Sequence, residues 1–117
     1  MPQYPLWALG NMGVEARAAM PQLVKTLADE DDVVRDWSAW ALGEISPAAK
    51  EAVPALVERF LNDESDGVRS RAASSLGEIG PEARTAVPAL LKQMTGAKPE
   101  IQSAAANALG PILRAPR

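Results

Sequence analysis

Apolar side chains recur along this chain at helical spacing, in stripes separated by short polar breaks. Val53, Leu56, Val57, Phe60 and Leu61 fall on one face of a helix. Val68, Ala72, Ser75, Leu76 and Ile79 follow as a second stripe, with Ser65 placed as its N-cap. Upstream, Ala19, Met20, Leu23, Val24 and Leu27 share a face. Pro21 predicts a short turn near residues 15–18 and a helix starting at the proline, or one kinked helix. Val34, Ser38, Ala41, Leu42 and Ile45 predict a helix over about Asp32 to Ile45, capped by Asp31. Downstream, Val87, Leu90, Leu91 and Met94 predict a helix ended by Gly96. Lys98-Pro99-Glu100 opens a last helix with the stripe Ile101, Ala105, Ala108, Leu109 and Ile112. Pro111 predicts a break or kink near Gly110, and residues 114–117 read as a frayed tail. No stretch of β-branched alternation competes with helix.

The stripes repeat. Ala52-Val53-Pro54-Ala55-Leu56-Val57 matches Ala19-Met20-Pro21-Gln22-Leu23-Val24 and Ala86-Val87-Pro88-Ala89-Leu90-Leu91. Pro21, Pro54 and Pro88 stand 33 and 34 positions apart. The pairs Leu9-Gly10, Leu42-Gly43, Leu76-Gly77 and Leu109-Gly110 step by 33, 34 and 33. Such a period marks a solenoid. The expected organisation is one domain over 1–117: a partial repeat at 1–13, then repeats at 14–46, 47–80 and 81–117, the last with its tail.

Composition narrows the function. The chain has 117 residues with a net charge of −3, and 47% are hydrophobic. Net acidity argues against nucleic acid, where a basic face supplies most of the affinity. Histidine and cysteine are absent, which removes thiol nucleophiles, disulfides, zinc fingers and imidazole acid–base chemistry. No apolar run approaches the ~20 residues of a membrane span. The N-terminus carries no signal-peptide pattern, so a cytoplasmic location is the expectation. Asp29–Asp32 lacks the loop pattern of a calcium site and reads as a solvated turn with a helix cap.

The Val-Pro-Ala-Leu block, the Val-Arg pairs at 34–35 and 68–69 and the run Leu76-Gly77-Glu78-Ile79-Gly80-Pro81-Glu82-Ala83 resemble the HEAT-like repeats of the phycobilisome-lyase type. The resemblance covers Pro5 to Leu113. It implies an all-α fold: an α-α superhelix of stacked helical hairpins, about three and a half repeats, right-handed. Second helices would line the concave face and first helices the convex face, and the members bind proteins. Metal hydroxylases of this fold use His-Glu pairs, and alkylpurine glycosylases use a basic groove. Neither chemistry is present here. Chromophore lyases keep the repeat over a longer array, of which this chain would be a fragment or distant relative.

Repetition also separates framework from variable positions. Gly10, Gly43, Gly77 and Gly110 recur inside second helices, where glycine costs about 1 kcal/mol relative to alanine, so they read as points of close helix approach. Arg35 and Arg69 each lie six residues after an acid, Asp29 and Asp63, and both members change in the third repeat. They read as a structural ladder, each Arg partnering its acid or the neighbouring turn. The positions two and five after each Arg vary: Trp37 and Trp40, then Arg71 and Ser74, then Ala104 and Asn107. Tyr4 and Trp7 hold the same places in the partial repeat, while Phe60 is an ordinary core residue.

Tyr4, Trp7, Trp37 and Trp40 therefore form one expected patch, with Asp36, Glu44, Arg71 and Glu78 as its charged rim and Ser74 beside it. Aromatic patches of several hundred Å² mark binding sites. The same cluster would also serve as a cap over the open N-terminal end. The expected function is a non-catalytic protein- or peptide-binding scaffold acting through the concave face, with no cofactor and no metal. One alternative is a small-molecule module, chromophore- or base-like, or a lyase-related fragment using the tryptophans as a stacking platform. Another is a fragment that forms a homodimer through the N-terminal aromatic patch.

Overall fold

Each stripe becomes a helix where the breaks allow it. The computed structural model describes Ala18 and residues 20–45, 48–96 and 98–114. The helices are α1 (Met20–Thr26), α2 (Asp32–Ile45), α3 (Val53–Asn62), α4 (Asp66–Ile79), α5 (Val87–Lys92) and α6 (Pro99–Leu113). Short 3-10 turns at Ala48–Ala52 and Gly80–Ala86 lead into α3 and α5. No strand occurs among the described residues. The expected partial repeat at 1–13, with Tyr4 and Trp7, lies outside the described residues, as does the tail from residue 115.

Local chemistry sets the helix ends. Asp31 Oδ1 accepts from the Val33 backbone N–H at 2.9 Å, and Ser65 Oγ from that of Val68 at 3.2 Å. Each satisfies a donor that the first helical turn leaves orphaned. Pro54, Pro88 and Pro99 sit in the first turn of their helices, where a missing N–H costs nothing. Gly80 closes α4 at φ 77° and ψ −142°, a backbone shape that only glycine adopts without strain. α6 runs unbroken through Pro111 to Leu113, contrary to the break expected near Gly110. The proline comes two residues before the helix end, and the carbonyl it leaves unpaired, four residues back, belongs to the exposed Asn107.

The helices pair as antiparallel hairpins: α1 with α2, α3 with α4, α5 with α6. The second helices then stack side by side, α2 on α4 and α4 on α6. The core runs between the rows, with Leu23, Leu42, Leu56, Phe60, Leu76, Ile79, Leu90, Ile101 and Ile112 all buried. The chain is an all-α solenoid of stacked helical hairpins. Leu91 and Met94, expected in the stripe of α5, are instead 54% and 37% exposed.

Candidate functional site

Close stacking of the second helices places the candidate surface. A Cβ built on Gly43 would lie 2.9 Å from Ser75 Oγ and 3.2 Å from Ser75 Cα. One built on Gly77 would lie 3.1 Å from Ala108 Cα. Glycine here removes the side chain that would hold adjacent helices apart. Ser75 Oγ also donates to the Ala39 carbonyl across the same gap.

A buried ladder fixes the other edge of the stack. Arg35 donates through Nε to Asp63 Oδ2 at 2.8 Å and through Nη2 to Asp63 Oδ1 at 3.0 Å. Its Nη1 reaches the carbonyls of Asp29 at 2.7 Å and Glu30 at 3.1 Å. The arginine thus ties the turn of its own hairpin to the carboxylate of the next. Arg69 repeats the device with Phe60 O at 2.9 Å and Gln93 Oε1 at 3.0 Å. Gln93 is a member that repeat spacing alone does not indicate, because it sits three residues before the position equivalent to Asp63.

Burial pushes the Asp63 carboxyl up. The bonds from Arg35 and from the Ser65 backbone N–H, with the charge of Arg59 nearby, outweigh it and hold the group below the usual carboxylate range. The bond to Asp63 likewise raises Arg35 above its ordinary value. A carboxyl depressed in the fold contributes stability above the unfolded value, near 3.9. That contribution disappears as pH falls through the folded value. Urea midpoints should therefore fall steadily below about pH 4, and Asp63→Asn should flatten that acid limb. An unchanged limb in the variant would assign the acid sensitivity elsewhere.

The outward positions of the three second helices form three rows. Trp37, Arg71 and Ala104 make the first, Trp40, Ser74 and Asn107 the second, and Glu44, Glu78 and Pro111 the third. Trp37 and Trp40 meet edge to face, with centroids 5.6 Å apart and planes at 85°. Trp37 is 39% exposed, whereas Trp40 is half-buried and packs against the core. Asp36 Oδ1 accepts from Arg71 Nε at 2.9 Å, tying α2 to α4. Both partners are over a third exposed, so the pair contributes at most about 1 kcal/mol. Ser74, Glu44 and Glu78 are exposed.

A groove of about 520 Å³ opens between α4 and α6. Ser74, Gly77 and Glu78 line one side, and Ala104, Asn107, Ala108 and Pro111 the other. A smaller one of about 340 Å³ lies between the N-terminal ends of α2 and α4, beside Asp36 and Arg71. The structure thus brings Trp37 against Trp40 and Asp36 against Arg71, places Ser74 and Glu78 in the groove toward α6, and leaves Glu44 exposed. Tyr4 and Trp7 fall outside the described residues. Ala104, Asn107 and Pro111 complete the groove. The spacing rule that selects Trp37 and Trp40 also reaches Ala104 and Asn107, whose small or neutral side chains carry no chemical signal in sequence.

The acidic turn uses its carboxylates locally. Asp29 Oδ1 accepts from the Asp31 N–H at 2.9 Å, and Asp31 caps α2. No group of acids among the described residues is arranged to hold a metal ion. No helix among them is long and apolar enough to cross a membrane.

Comparison with solved structures places the chain near the CpcE–CpcF complex of phycocyanin lyase from Nostoc sp. PCC7120. The match has a TM-score of 0.79 and 25% identity, and covers 95% of this chain and 68% of that one. An engineered protein matches with a TM-score of 0.69 and 28% identity, covering 92% of this chain and 53% of that one. This chain therefore spans about half the length of the engineered protein. A comparison with curated proteins returns no match. The description of HEAT repeats matches residues 3–77 and 53–117, which together span nearly the whole sequence. With helix pairs stacked through Gly43 and Gly77 in register, the chain belongs to the HEAT repeat family.

Proposed function

We propose that the chain is a non-catalytic scaffold that binds a protein or peptide across the outward rows of α2, α4 and α6. One observation carries the reading. Trp37 occupies a position the repeat does not need for stacking, yet it is a large aromatic held partly exposed, at the register whose counterpart Ala104 lines the groove between α4 and α6. Aromatic side chains of this kind dominate binding energy at interfaces. Trp40 packs edge to face against Trp37, and Asp36, the neighbour of Trp37 in sequence, holds Arg71. The sequence offers no histidine or cysteine to act as base or thiol nucleophile, which supports a binding role over catalysis.

Peptides selected from a random library against the intact chain should test this. Trp37→Ala should weaken the selected binders at least tenfold, about 1.4 kcal/mol, with unchanged helicity and melting. Trp40→Ala is the poorer probe, because its ring also packs on the core and its loss lowers stability. Binders indifferent to both Trp37→Ala and a groove-filling Asn107→Arg would remove the outward rows from the reading.

The structural likeness to a phycocyanin lyase complex supports a second reading, in which the tryptophan pair stacks on a flat chromophore. Titration with a tetrapyrrole should then quench tryptophan fluorescence in a saturable way, and Trp37→Ala should reduce the effect. Absence of quenching at high ligand concentration rejects this second reading and leaves the first intact.

A further inference from the structure

At the joint between α2 and α4, Arg71 reaches across from α4 and donates to Asp36 Oδ1 on α2 at 2.9 Å. One repeat later the same two registers hold Ala104 on α6 and Ser70 on α4. A methyl and a hydroxymethyl are too short to span helices whose axes lie ~8–10 Å apart. The joint between α4 and α6 therefore lacks this bridge, and the groove of about 520 Å³ opens there with Ala104 in its wall. That size falls within the ~300–1,000 Å³ range of ligand sites.

The lining of the groove selects among occupants. Ala104, Ala108 and Pro111 offer apolar surface, Ser74 and Asn107 offer polar side-chain atoms, and Glu78 carries the charge. None of the described residues lining it is basic. An apolar occupant would strip water from the Glu78 carboxylate and supply no hydrogen bond to it. An acidic occupant would meet a like charge. A long cationic side chain suits both parts, because its stem covers methyl and proline surface while its head stays with the carboxylate. Arginine suits it better than lysine. Its planar guanidinium presents five donors, enough for the carboxylate and for the Ser74 and Asn107 oxygens besides. The net charge of −3 also favours the approach of a basic partner.

We propose that this groove receives an arginine side chain of the bound protein or peptide, its guanidinium against the Glu78 carboxylate. The inference rests on the binding role proposed above and names the partner's chemistry: a basic segment that presents arginine to the joint between the second and third hairpins. The molecule already contains the arrangement once, since Arg71 lies between two second helices with its guanidinium held by a carboxylate of the neighbour. The partner's arginine supplies at the next joint what Ala104 does not.

Peptides selected from a random library against the full chain should be rich in arginine. In the tightest binder, replacing one arginine by citrulline keeps the shape, removes the charge and should weaken binding about tenfold. Glu78→Gln should weaken the arginine peptide by a similar factor and the citrulline peptide by less than about twofold, because both changes remove the same contact. Glu44→Gln removes a charge at the same register outside the groove and should change binding by less than about twofold. Both glutamates are exposed, so the variants should fold normally, which circular dichroism checks. Binders that lose affinity in Trp37→Ala or Asn107→Arg but tolerate citrulline at every arginine would overturn the arginine site and leave the scaffold reading standing. So would losses from citrulline and Glu78→Gln that simply add, or equal losses from Glu78→Gln and Glu44→Gln. Binders indifferent to both Trp37→Ala and Asn107→Arg would remove both readings, as would a library that yields no binder.

Discussion

Arg35→Ala should lower the unfolding free energy by about 3–5 kcal/mol, the cost of stranding one member of a buried ion pair. Arg35 and Asp63 are both nearly inaccessible, and the guanidinium grips both carboxylate oxygens. Without it the Asp63 carboxylate keeps Arg59 at 3.2 Å and the Ser65 N–H at 2.8 Å, but loses its bidentate partner. The carbonyls of Asp29 and Glu30 lose their donor as well. Domains of this size are stable by only about 5–15 kcal/mol, so the loss should move the urea midpoint far to the left. Joint replacement by apolar residues, Arg35→Met with Asp63→Leu, should recover much of the loss, because no charge remains to be buried unpaired. Arg71→Ala removes an ion pair of similar length that is over a third exposed, and should cost about 1 kcal/mol or less. Equal midpoint shifts for Arg35→Ala and Arg71→Ala would show that burial is not what sets the difference.

The ladder also shows where sequence stops informing. Apolar spacing and capping chemistry are local, and α2 begins and ends at Asp32 and Ile45, where the pattern places it. Both caps, Asp31 and Ser65, are likewise local. Repetition added the framework glycines, since a costly residue that returns at the same register needs a packing reason. Spacing did not choose between the two partners open to Arg35, the acid six residues before it and the neighbouring turn. Asp63, 28 residues ahead, becomes the partner because stacking brings the next turn across. For the same reason Leu91 and Met94 read as core. Their spacing states that a neighbour would cover them, and the neighbour is not among the described residues. The outward rows were legible for the opposite reason: Trp37 and Trp40 break the repeat, and deviation from a pattern is visible in sequence. Their unequal burial was not, because it depends on how the rings pack edge to face.

The glycine register gives the other large effect, and its sign should reverse along the chain. Alanine in place of a helical glycine normally gains about 1 kcal/mol. At Gly77 any Cβ arrives 3.1 Å from the Cα of Ala108, and backbone cannot swing aside as a side chain can. Gly77→Val must push α6 away from α4, and overpacking of this kind costs about 1–3 kcal/mol beyond whatever propensity returns. Gly43→Val faces Ser75 Oγ at 2.9 Å, and moving that hydroxyl breaks its bond to the Ala39 carbonyl. It should therefore destabilise at least as much. Gly110→Ala meets nothing within 4 Å and should stabilise by about 0.5–1 kcal/mol. Thermal unfolding of each variant at one fixed protein concentration reads these effects. A common sign for all three substitutions would mean that helix propensity rules each site. Opposite signs, loss at Gly43 and Gly77 and gain at Gly110, would show that each glycine is kept for the helix stacked against it.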